Sequence, residues 1–119
     1  MRLIYTIGPS GAGKDSVLNW IRLNVPQDNA VRFAQRVIDR AVQPLGEQHE
    51  PIEAADFETQ RAHNAFAMHW HANGHSYGIR HEQFNSLEPT QWIFVNGSRS
   101  HLETALALFP NMVVRSEEH

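Results

Sequence analysis

Short apolar runs, cut apart by glycine, proline and amide-rich breaks, organise this chain. Leu3-Ile-Tyr-Thr-Ile7 predicts a buried strand over residues 2–7. From 14 to 24 the period lengthens to that of a helix, with Val17, Leu18, Ile21 and Val25 on one face. Pro26 and the Gln27-Asp28-Asn29 cluster end it. Ala30 to Val37 reads as a second strand in which Val31 and Phe33 alternate with polar residues. Asp39 to Pro51 is polar and holds Pro44 and Gly46, so a loop leaving the core is expected there. Ile52 to Asn64 predicts a short amphipathic helix with Phe57 turned inward. Phe66–His71 and His75–Ile79 read as two strands joined through Asn73-Gly74, a strong hairpin signal. His81 to Leu87 is compatible with a helix. Trp92 to Val95 is an uninterrupted apolar run of the kind found inside a parallel sheet. Ser98 or Ser100 opens a helix through Ala105 and Leu108, stopped by Pro110. Met112-Val113-Val114 starts a strand that Arg115-Ser-Glu-Glu-His119 aborts within a few residues.

Strands alternating with helices imply a three-layer α/β fold around a parallel sheet. Residues 39–80 break the rhythm with a hairpin and are expected to form a small substrate-binding lobe set into a core of about 1–38 and 81–119. At 119 residues and 41% hydrophobic content there is material for one domain. A net charge of -3 and a pI near 6.2 argue against a general nucleic-acid partner, which needs a basic face. The chain has no cysteine, so disulfide and thiolate chemistry are out of reach. No apolar run approaches the roughly 20 residues of a membrane span. Gly8 and Pro9 cut short anything like a signal peptide, and a cytoplasmic location is expected.

Candidate chemistry begins where the first strand ends. Gly8-Pro-Ser-Gly-Ala-Gly-Lys14 has the G-x-x-x-x-G-K spacing of a phosphate-binding loop, between a strand and a helix. Gly8, Ser10, Gly11, Ala12 and Gly13 bring backbone N–H groups close to an anion, and Lys14 reaches the outer phosphates of a nucleoside triphosphate as a point charge. Such loops usually continue with a magnesium-binding Ser or Thr. Here Asp15 follows, then Ser16. Asp15 either holds the cation, directly or through water, or simply favours the first helical turn.

The order of these pieces resembles the nucleotide-monophosphate-kinase-like P-loop fold, in particular the guanylate kinases. Val37-Ile-Asp-Arg40 stands where those enzymes end a threonine-rich segment in a substrate-binding arginine. Tyr77-Gly78 matches the opening of their Tyr-Gly-Thr-Pro segment. The resemblance is closer to the ribose 1,5-bisphosphate phosphokinases of phosphonate metabolism. It rests on Lys14-Asp15-Ser16, Arg36-Val-Ile-Asp-Arg40, Gly46-Glu47-x-His49-Glu50, Trp70-x-Ala72-x-Gly74-x-x-Tyr77-Gly78-Ile79 and Val95-Asn96-Gly97-Ser98-Arg99, in consistent order over residues 1–114. It implies phosphoryl transfer from ATP, with Mg2+, to ribose 1,5-bisphosphate, giving 5-phosphoribosyl 1-diphosphate. Lys14, Arg40 and Arg99 would be the catalytic residues, and Asp15 and Ser16 the magnesium ligands.

For the acceptor, Arg36, Arg40 and Arg99 offer guanidinium forks that match phosphate oxygens, the alternative being solvated surface charge. Glu47, His49 and Glu50 are candidates for the sugar hydroxyls or a metal-bound water, or else belong to an exposed polar loop. Tyr77 either bonds a phosphate or packs in the hairpin. Asn96 stands where guanylate kinases hold an acidic residue; a neutral amide adds no repulsion beside a bisphosphate. His69, His71 and His75 have a spacing open to a metal, but a polar lobe face accounts for them better. Relatives run longer, through a lid with further arginines, so a C-terminally truncated fold is expected. It would lack strands flanking the phosphate loop and expose a sheet edge open to self-association. A guanylate-kinase-like activity, or a non-catalytic nucleotide-binding module, are the alternative readings.

Overall fold

The computed structural model describes residues 2–7, 14–25, 31–40, 49–85 and 87–116, with the side chains of 14–18 left out. It divides into two compact units, Met1–Phe33 with Leu87–His119, and Ala34–Ser86.

The first unit is built on strands β1 (Arg2–Ile7), β2 (Val31–Phe33), β7 (Trp92–Asn96) and β8 (Val113–Ser116), in the order β2-β7-β1-β8 and all parallel. Continuous apolar runs at β1 and β7 suit strands buried on both faces, and Ile4, Tyr5, Ile93 and Val95 are sealed from solvent. Helix α1 (Lys14–Asn24) brings Trp20, Ile21 and Val25 against Ile4, Trp92 and Phe94. Trp20 meets Trp92 edge-on at 6.5 Å between ring centroids. After β7 a 3-10 turn, Arg99–His101, leads into α4 (Leu102–Leu108). Of the two serines nominated to open this helix, Ser98 caps the 3-10 turn before it: its hydroxyl accepts from Ser100 N–H.

One expectation is corrected in this unit: β1 does not lack flanking strands, since β7 and β8 pair on either side of it. The strand begun at Met112 is β8, which pairs with β1 through Arg115 and Ser116, whatever their polarity; residues 117–119 lie outside the described ones. The edges among the described residues are β2, with Phe33 45% exposed, and β8, with Val114 39% exposed.

In the second unit, β3 (Arg36–Ile38), β4 (His49–Pro51), β5 (Phe66–Ala72) and β6 (His75–Arg80) form a mixed sheet ordered β4-β3-β6-β5. The hairpin β5–β6 turns through Asn73 and Gly74, both at positive φ (54° and 75°), the pairing that a tight hairpin of the right twist demands. Helix α2 (Ala54–Ala62) is capped at His63 and followed by Asn64, which takes a left-handed conformation (φ 59°). Its Phe57 stacks on Phe66, 4.7 Å between centroids, over Val37 and Ile52. A one-turn helix α3 (Glu82–Asn85) follows β6 and buries Phe84.

The single strand expected over 30–37 is two strands in two sheets: β2 pairs with β7, whereas β3 pairs with β4 and β6. At the crossing, Gln35 N–H donates to the Gln83 side chain instead of a ladder carbonyl (3.0 Å). The loop expected over 39–51 ends in a strand, β4, because His49-Glu50-Pro51 pairs in parallel with β3 although it carries no apolar alternation. Residues 41–48 of that segment lie outside the described ones.

Candidate functional site

Four parallel strands place their carboxyl ends along one edge of the first sheet, the edge where such sheets hold ligands. There β1 ends at Ile7 and α1 begins at Lys14. The intervening Gly8, Ser10, Gly11, Ala12 and Gly13 lie outside the described residues, as do the side chains of Lys14, Asp15 and Ser16, whose backbone forms the first turn of α1. A helix start directs unsatisfied N–H groups and a partial positive charge outward.

Beside this point runs the end of β7. Asn96 is in register with Thr6 and exposed, and Arg99, also exposed, opens the 3-10 turn. Between them the backbone is fastened to β1: Gly97 N–H donates to the Thr6 carbonyl (2.9 Å). The Tyr5 hydroxyl donates to the Ser98 carbonyl (2.7 Å) and accepts from Ser98 N–H (2.9 Å). Burial pushes the Tyr5 phenol up to about 12, against the lowering effect of its bond to Ser98. The ring occupies the space above Gly97: a Cβ there would lie 2.1 Å from Tyr5 Cζ.

In the second unit the register assigns the nominated residues to faces. Arg36 and Ile38 share one face of β3; His49 in β4, Tyr77 and Ile79 in β6, and Met68 and Trp70 in β5 lie on the same side. The Arg36 guanidinium sits 5.3 Å above the Tyr77 ring, and Trp70 stacks on that ring with planes 5° apart. Tyr77 is therefore a buried sheet residue carrying a cation on its face. His49 is buried as well, which corrects its reading as part of an exposed polar loop. Glu47 lies outside the described residues.

Glu50 belongs to the opposite face, where it grips Arg80 through two bonds, Nε to Oε1 at 3.1 Å and Nη2 to Oε2 at 2.6 Å. That grip spans β3 and engages the carboxylate that was a candidate for sugar hydroxyls. The Arg80 side-chain bond holds Glu50 below the ordinary carboxylate range despite some desolvation. Arg40, half-buried, lies two residues past β3, its N–H bonded to the Ile38 carbonyl (2.8 Å). Its neighbour Asp39 ties down the start of β6: Oδ1 accepts from Ser76 N–H (2.9 Å) and from His75 Nδ1 (3.0 Å).

The histidines do not converge. His69 and His71 lie on one face and are exposed, whereas His75 turns to Asp39. Among the described residues no three His, Asp or Glu side chains are placed to hold a metal. No helix among them is long and apolar enough to cross a membrane.

Tyr5 and Arg80 have no place in the sequence motifs, and Asp39 and Trp70 stand in them without a role. A usable signal existed for Tyr5, since a glycine directly after an apolar strand suggests a close neighbour. None existed for Arg80, whose partner is thirty positions away.

No protein-family model matches the chain. It is 42% identical over 113 residues to a ribose 1,5-bisphosphate phosphokinase of Pseudomonas fluorescens, covering 95% of this chain and 59% of the relative. The phosphokinase of Desulfomicrobium baculatum is 38% identical over 112 residues, covering 94% of this chain and 60% of that one. A third phosphokinase, from a Janthinobacterium strain, is 42% identical over 113 residues, of which the chain covers only 25%. The chain thus spans at most about three fifths of these relatives. In fold it is similar to guanylate kinase from Anaplasma phagocytophilum, with a TM-score of 0.71 over 98% of this chain and 58% of the other, at 15% identity. The architecture is that α/β, guanylate-kinase-like fold.

Proposed function

With ribose 1,5-bisphosphate phosphokinases as relatives along nearly all of the chain, we propose that it carries the phosphate-handling part of an ATP-dependent kinase that converts ribose 1,5-bisphosphate to 5-phosphoribosyl 1-diphosphate. The observation that carries this reading is the 42% identity over 113 of the 119 residues.

The chemistry asked of the site is positioning and charge neutralisation. In this reaction an oxygen of the 1-phosphate attacks the γ-phosphorus of ATP, the bond from that phosphorus to the β,γ-bridging oxygen breaks, and ADP leaves with that electron pair. The attacking oxygen already carries negative charge near neutral pH, as phosphate monoesters have a second pKa of about 6. It needs no general base; it needs cations.

Lys14 and the backbone N–H groups of residues 11–16 hold the triphosphate at the start of α1, where the helix dipole favours anions. Arg40 and Arg99 neutralise charge on the transferred group and acceptor, and Arg36 contributes from its seat on Tyr77. Glu47 and His49 are the candidates for the sugar hydroxyls, and Asn96 lines the acceptor side without adding negative charge. Asp15 and Ser16 are the candidate ligands of Mg2+, which would screen the triphosphate. The compartment is cytoplasmic and the substrates are small molecules, with phosphonate metabolism as the setting.

Similarity in fold to a guanylate kinase favours a second reading, phosphorylation of GMP. A coupled assay with ATP and Mg2+, supplied with ribose 1,5-bisphosphate or with GMP, separates them. Turnover of the sugar, lowered about 100-fold or more in Lys14→Ala, supports the proposal. Turnover of GMP alone overturns it, and ATP binding without turnover of either leaves a nucleotide-binding module.

A further inference from the structure

We propose that Tyr5 is a positioning residue for the acceptor: its hydroxyl, seated over Gly97, locks Ser98 and so sets the direction from which Arg99 meets a phosphate. The inference rests on the acceptor reading given above and adds to it a residue buried in the sheet core.

The geometry is that of a side chain standing in for a strand. From Arg2 to Thr6, β1 pairs residue by residue with β7 up to Asn96. One more ladder bond follows, Gly97 N–H to the Thr6 carbonyl. Beyond it β1 as described ends at Ile7, and the Tyr5 hydroxyl meets both groups of Ser98, accepting from its N–H at 2.9 Å and donating to its carbonyl at 2.7 Å. One hydroxyl thereby satisfies both polar groups of a partly buried residue just past the end of the β7 ladder.

Ser98 in turn caps the next turn. Its hydroxyl accepts from Ser100 N–H, and its carbonyl also accepts from His101 N–H (3.2 Å). Arg99 is thus flanked by one residue fixed from below and another fixed from ahead. Gly97 is part of the device, because any side chain there would strike the phenol ring. Guanidinium recognition of phosphate is directional, so a rotation of the Arg99 backbone is felt at the phosphate.

Isothermal titration of the wild type, Tyr5→Phe, Arg99→Ala and the double variant with ribose 1,5-bisphosphate, and separately with ATP, tests this. Tyr5→Phe keeps the ring and deletes the lock. Its dissociation constant for the bisphosphate should rise roughly tenfold, about 1.4 kcal/mol, while that for ATP changes less than twofold. Arg99→Ala should weaken the bisphosphate at least as much, and adding Tyr5→Phe to it should cost nothing further, because the hydroxyl acts through Arg99.

Additive losses, or equal losses for both ligands, would show a general loosening and overturn the proposal. A wild type that binds ATP but no bisphosphate sinks the acceptor reading and this inference together; a wild type that binds the bisphosphate as tightly as Tyr5→Phe does sinks this inference alone. Should Tyr5→Phe not fold, amide exchange in the wild type decides. Ser98 N–H must then be protected at least tenfold beyond Ser100 N–H, and equal exchange overturns the lock.

Discussion

Replacing Gly97 with alanine tests the packing that joins β1 to the end of β7. A Cβ at this position would lie 2.1 Å from Tyr5 Cζ and 2.3 Å from Cε2, whereas carbon atoms rest at about 3.5–4.0 Å. The deficit, about 1.5 Å, falls on a ring with no room to retreat: Tyr5 is fully buried, in a strand paired on both sides. The segment after Asn96 must therefore lift away. Lifting breaks the two Tyr5–Ser98 bonds and the Gly97–Thr6 bond. At about 1 kcal/mol each, these losses sum to about 3 kcal/mol. Against this, alanine recovers about 0.4–1 kcal/mol by restricting the unfolded chain. The net cost, about 2–3 kcal/mol, is a large share of the roughly 5–15 kcal/mol that holds a domain together. In urea titrations with a slope of about 1–2 kcal/mol/M, the midpoint should fall by roughly 1–3 M with the slope unchanged. A midpoint within about 0.3 M of the wild type would refute the claim that the ring fills this space.

Three further outcomes are expected. The buried Tyr5 phenol, with its pKa raised to about 12, favours the protonated form in the folded state. The stability it confers is complete below about pH 10 and is lost as pH rises toward 12, visible as a falling urea midpoint that Tyr5→Phe should flatten. Glu50 titrates the other way. Its depressed folded pKa stabilises above the ordinary carboxylate range, and that stability goes as pH falls through the folded value. With Glu50 37% exposed in its side chain, solvent screening limits the pair to about 1 kcal/mol or less, so Glu50→Gln should cost little at pH 7 and progressively less as pH falls through the folded value. Phe57→Ala removes the ring stacked on Phe66 and should cost about 3–5 kcal/mol, lowering the melting temperature by roughly 10–20 °C; a shift under 3 °C would refute its place in the core.

Local chemistry made much of this fold readable. Asn73-Gly74 declared its hairpin because only residues tolerant of positive φ turn two twisted strands so tightly. Trp92 to Val95 declared a strand buried on both faces by having no polar alternation. The glycine spacing before Lys14 announced the phosphate-binding candidate without any coordinates, since that chemistry is carried by the backbone and the order of residues.

Other features had no local cause. Phe66, Met68 and Trp70 alternate as if to line one face, yet a register shift between Phe66 and Met68 turns Phe66 toward Phe57 and leaves Trp70 stacked on Tyr77. His49-Glu50-Pro51 has no strand pattern and becomes one because β3 is there to pair with it. Val31 and Val37 look like one strand and belong to two sheets.

The sequence by itself determined the turns, the apolar strands and the phosphate-binding candidate, because each depends on torsions and chemistry confined to a few neighbouring residues. Only the tertiary structure decided that Glu50 is held by Arg80, that His49, Arg36 and Tyr77 share a face, and that Tyr5 fastens Ser98. Those are contacts between residues up to 93 positions apart. Register and steric fit create them, and neither is written in any local stretch of chain.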